Sequence, residues 1–140
     1  MAISYIGNKV IENALKGGID LSSTTIKCIL LKQDASIDSS MQTYSDIQGQ
    51  ELADGNGYTA GGIDLQNVSI DTSSQPFKLD ADDITIDNAT FTTLGYALYA
   101  DNANKDILVA ETFDNAVEVT SGTFKVVWDN NGIINVAEGN

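Results

Sequence analysis

Apolar residues recur at helical spacing only once in this chain, within its first sixteen residues; from Thr24 onward the apolar runs are short, rich in β-branched residues and closed by turns. That change of period, from about 3.6 residues to about 2, restricts the chain to a largely β fold led by one helix. In the leading segment Ile3, Ile6, Val10 and Ala14 form a stripe widened by Ile11 and Leu15, while Asn8, Lys9, Glu12, Asn13 and Lys16 take the other side. Lys16 in the last turn and Gly17 after it fit a C-terminal cap. A helix this short is marginal alone. Residues 1–16 are therefore expected to pack on the domain or on a neighbouring subunit, with Gly17 and Gly18 as the hinge and Ile3, Ile6 and Val10 as the assembly face.

Residues 24–32 (TTIKCILLK) read as a central strand, apolar almost throughout the second half. Residues 33–57 are polar and weakly periodic, with Met41, Tyr44, Ile47 and Leu52 as scattered apolar points. A connection of that length tends to be functional or to carry a short helix, and this one is the first candidate for a partner-contacting region. A strand with a bulge or break is expected over 58–70, then short strands at 77–80, 84–86, 89–100 and 107–113. The alternation of Phe124, Val126 and Trp128, a turn at 129–132 and the return through Ile133, Ile134 and Val136 predict a closing hairpin. Seven or eight strands and one leading helix predict an all-β protein: a mainly antiparallel β-sandwich or barrel over 17–140, as a single domain.

The pentapeptide GGIDL stands at 17–21 and again at 61–65, but the similarity ends a few residues beyond each copy. A structural repeat keeps its apolar pattern longer, so the two copies read as glycine turns with different jobs. The first ends the helix; the second opens a strand.

Side-chain chemistry narrows the function further. The chain lacks histidine, which removes the commonest general base and most zinc sites, and its one cysteine, Cys28, lies in an apolar run. No catalytic residue and no cofactor is assigned. Asp80, Asp82 and Asp83 begin like a calcium loop, but Ile84 stands where a third oxygen ligand belongs and no glycine follows. They read as a turn, with calcium as the lesser alternative. The glycine-rich stretch 55–62 lacks the Lys-Ser/Thr ending of a phosphate loop. Phe91, Tyr96, Tyr99 and Phe113 could form a sugar-stacking face, although aromatics at strand spacing read first as core.

Seven basic and 20 acidic residues give a formal net charge of −13 over 140 residues. Such a surface repels a phosphate backbone and an anionic membrane, so neither nucleic acid nor membrane is an expected partner. The start of the chain has no basic and apolar leader, which predicts synthesis in the cytoplasm.

Taken in order, GGIDLSSTTIKCILL, GYTAGG, FKLDADDITID, LGYALYAD, ILVAETFD and SGTFKVVWDNNGII span nearly the whole chain. This series resembles small virion structural proteins of tailed bacteriophages. The resemblance implies a non-enzymatic building block of the particle, made in the host bacterial cytoplasm. It implies a decoration or auxiliary protein on the outside of the capsid, homo-oligomeric, whose partners are other virion proteins and foremost the major capsid protein. The alternatives are a tail- or fibre-associated structural protein and a glycan- or calcium-binding module.

Overall fold

The computed structural model describes residues 3–73, 77–130 and 132–136. The chain is mostly antiparallel strand, as expected. In order, the elements are β1 (Ser4–Ile6), α1 (Asn8–Leu15), β2 (Ile26–Lys32), α2 (Tyr44–Ile47) running into a 3-10 turn, β3 (Ile63–Asp64), β4 (Ser69–Asp71), β5 (Phe77–Asp80), β6 (Ile84–Ala100), β7 (Ile107–Val126) and β8 (Ile134–Val136). They form a five-stranded sheet, β1-β7-β6-β2-β3, and a three-stranded one, β4-β5-β8.

The larger sheet has apolar cover on both faces. Cys28, Leu30, Tyr96 and Leu98 face a core shared with Val10 of α1 and Leu79 of the smaller sheet. Ile29, Leu31, Ala97 and Tyr99 face a second core closed by Ile37 and Ile47 of the long connection. This is why β2 is apolar at consecutive positions: in a strand covered on both sides, neither set of alternating side chains reaches water. The long connection carries a short helix of its own, α2, and packs Ile37 and Ile47 on the sheet. Its apolar points, sparse as they are, lie where the sheet needs a cover.

The segment 1–16 is not one helix. Ser4, Tyr5 and Ile6 pair with Glu111, Ala110 and Val109 of β7, and α1 begins only after Gly7, whose backbone is extended (φ −66°, ψ 129°). The reason is a close approach. The Gly7 N–H donates to Leu108 O at 2.7 Å, and a Cβ on Gly7 would stand 1.7 Å from Ile107 O. Ile6 therefore belongs to an edge strand and Ile3 lies just before it, its backbone bonded to Thr112, so their helical spacing to Val10 is coincidental.

Two further expectations change in the same way, through pairing between residues distant in sequence. The pieces expected at 84–86 and 89–100 are one strand, and 107–113 continues to Val126, because β6 and β7 pair along their length through bulges. The closing hairpin does not form. The turn exists, with Gly132 N–H bonded to Asp129 O, but the returning strand β8 pairs with β5 (Leu79 opposite Ile134) rather than with β7. The strand expected over 58–70 breaks into β3 and β4, which belong to different sheets, and Asn67 at the break has φ 53°.

Candidate functional site

The surface feature most unlike its surroundings is an apolar groove of about 240 Å³ between α1 and the smaller sheet. It is built from short elements. Val10 turns inward and is buried, while Ile6, Ile11 and Leu15 remain 48%, 47% and 84% exposed. Opposite them stands Ile70 of β4, half exposed, with Leu79 and Ile134 deeper in. Among the described residues Lys78 is the one charged residue in the lining. Single exposed apolar side chains are ordinary, but a contiguous set around a groove is what interaction surfaces present.

The helix that forms one wall is held at both ends. At its N-terminus the Asn8 amide donates to Gln42 Oε1 at 2.9 Å, so the long connection supplies the missing cap. At its C-terminus Gly17 N–H bonds to Ala14 O and Gly18 N–H to Asn13 O, with Gly17 at φ +78°. That pattern is a Schellman motif. The side chain of Asn13 donates to the buried Asp106 carboxylate at 2.7 Å, which Asn102 also reaches at 3.0 Å. Of the residues expected at the hinge and assembly face, Ile6 and Val10 meet in this groove; Ile3 is exposed just before β1, and Gly17 and Gly18 end the helix. Ile11, Leu15 and Ile70 complete the surface, and only Ile70 lacked a sequence signal, because β4 comes from another part of the chain.

The second GGIDL copy has no surface role. Gly62 lies against β2, where a Cβ would come within 2.8 Å of Cys28 O. Gly61 N–H donates to Glu51 Oε2 at 2.8 Å, and the same carboxylate accepts from Tyr44 and Tyr58, each at 2.5 Å. Tyr44 also stacks on Tyr99 at 4.8 Å between centroids, and Tyr99 OH donates to Gly61 O. Burial first, then the hydrogen bond to Glu51 and its charge, raise the Tyr58 phenol well above its ordinary pKa. This cluster fastens the long connection to the sheet.

The three candidate calcium ligands point to different partners. Asp80 accepts from the Ala81 amide, Asp82 from Asn67 and Asp83 from the Trp128 amide. Among the described residues no group of three or more Asp, Glu, Cys or His side chains converges as a cation would need. The four aromatics do not form one face: Tyr99 points to one core, Tyr96 to the other, and Phe91 packs edge-on against Phe124. Tyr96 and Phe113 do gather with Trp128, beside Glu111 and Lys125, around a recess of about 420 Å³. Tyr96 and Trp128 each keep only 9% of their surface exposed, and Trp128 spends its indole N–H on Asp82 O. They offer little ring face on which a sugar could stack. The Cys28 thiol is fully buried, which raises its pKa and suppresses the reactive thiolate.

The fold and its surface thus define an antiparallel β protein with an apolar groove on an acidic body. No family model, curated protein or solved structure matches the chain.

Proposed function

We propose that the chain is a non-enzymatic structural subunit of a tailed-phage virion, an auxiliary or decoration protein on the outside of the capsid that acts by docking to copies of itself and to the major capsid protein. One observation carries the docking part. The groove beside α1 gathers Ile6, Ile11, Leu15 and Ile70, four of the seven large apolar side chains exposed among the described residues. Full burial of such a side chain is worth roughly 1.5–3 kcal/mol, and a partner covering the groove recovers the part that remains exposed. The net charge of −13 supports a position away from packaged DNA. Closure of the two sheets into a sandwich around their common core belongs to the same reading.

Particles produced by the genome that encodes this chain provide the test. After banding in a density gradient, protein mass spectrometry should find the chain at a fixed ratio to the major capsid protein, and protease should remove it from intact heads. Its absence from purified particles would overturn the assignment.

A further inference from the structure

The far half of β7 has an uncovered edge. β1 lies beside β7 only as far as Thr112, whose amide donates to Ile3 O, and among the described residues no strand lies beside residues 117–126 on the side away from β6. Such an edge presents backbone N–H and C=O groups to which a further strand can add. Charges on an edge commonly reject an arbitrary strand. The two on this one, Glu118 and Lys125, are exposed and opposite in sign. Neither takes part in an ion pair among the described residues, although Glu111 borders the same recess as Lys125.

The stretch is also symmetric in character. It reads Val-Glu-Val-Thr-Ser-Gly-Thr-Phe-Lys-Val, so either end leads through an apolar residue, a charge, an apolar residue and a threonine to a small centre. Between Ala89 and Phe91 β6 advances two residues while β7 advances three, from Gly122 to Val119, and Ser121 in this bulge has φ 46°. The extra residue decides which side chains share a face. Val119, Phe124 and Val126 all turn to the core, and Glu118, Thr120, Thr123 and Lys125 are all exposed. In an unbulged strand Glu118 and Lys125, an odd number of places apart, would lie on opposite faces.

We propose that two copies of the chain pair antiparallel through this edge, about a two-fold axis at the Ser121–Gly122 bulge. Glu118 of each copy then stands opposite Lys125 of the other, Val119 opposite Phe124, Thr120 opposite Thr123 and Val117 opposite Val126. A slip of one residue either way sets both charges against apolar side chains, so the register is specified. Val117 and Val127, 41% and 68% exposed, gain cover from the second copy. The same patch serves on both sides, so the contact is isologous and closes as a dimer. It rests on the reading of the chain as a subunit that docks to copies of itself, and it uses none of the residues lining the groove beside α1.

Sedimentation velocity across a concentration range tests this with Glu118→Lys and Lys125→Glu, both at exposed positions. The wild-type chain should pass from monomer to dimer. Each variant alone sets like charges opposite each other twice and should weaken the dimer by roughly tenfold or more, with circular dichroism and Tm unchanged. Mixed together, the two variants regain both opposite-charge pairs and should form a heterodimer as tight as the wild-type dimer. Leu15→Asp, in the groove, should leave dimerisation intact. A wild-type chain that stays monomeric at every concentration overturns the edge and self-docking together. If it dimerises but ignores both charge reversals, or loses the dimer with Leu15→Asp, the edge is wrong although self-docking stands. If the mixed variants fail to pair, the register is wrong.

Discussion

Glycine at position 7 and glycine at position 17 are required for opposite reasons. Gly7 has an ordinary backbone conformation and no room: its Cβ would overlap the Ile107 carbonyl. Gly17 has open space around it but a left-handed backbone at φ +78°. Gly7→Ala should therefore cost about 3 kcal/mol or more, since β1 or β7 must shift, whereas Gly17→Ala should cost about 1 kcal/mol, the penalty of a Cβ in the left-handed region. Urea unfolding of the two variants measures the difference, and equal losses would contradict it. The sequence pointed to Gly17 because helix caps are local. It gave no warning of Gly7, whose constraint comes from a strand a hundred positions further along.

At the level of elements, the long connection has a packing role that its sequence does not announce. Its few apolar residues, Ile37 and Ile47, cover the second face of the larger sheet, and Glu51 fastens it between Tyr44, Tyr58 and the Gly61 amide. Glu51→Ala leaves two hydroxyls and an amide without their acceptor and should lower stability by about 3 kcal/mol, moderated by water at this half-buried site. Limited proteolysis should then cut first within residues 33–62; unchanged protease resistance would mean the apolar contacts of Ile37 and Ile47 suffice to hold the cover. The short strands were legible as β because alternation and turn residues are local signals. Their partners were not. Nothing near Ile134 indicates that β8 joins β5, and the continuity of β6 through the irregular stretch around Asn88 depends on β7 beside it.

The whole molecule responds to alkaline pH through its tyrosines. Burial, with the nearby Asp38 and Asp46 charges, pushes the Tyr5 phenol up to about 12, and Tyr5 donates to Met41 O at 2.7 Å. A phenol with a raised folded-state pKa contributes its full stability below its unfolded value near 10 and loses it as pH rises through the folded value. The melting temperature should hold up to about pH 10 and fall between about 10 and 12, with tyrosinate absorbance appearing together with loss of the far-ultraviolet signal. Tyr5→Phe should flatten part of that decline; an unaltered slope would assign it to the other buried tyrosines. By itself the sequence determined the fold class, the C-terminal end of α1, the buried thiol and the acidic surface, because period, propensity and charge are properties of neighbouring residues. Tertiary structure alone decided which strands pair, that the long connection is a cover, and that Ile70 completes a groove begun by Ile6, Ile11 and Leu15. These are contacts between residues far apart in the chain, and nothing local in a sequence records them.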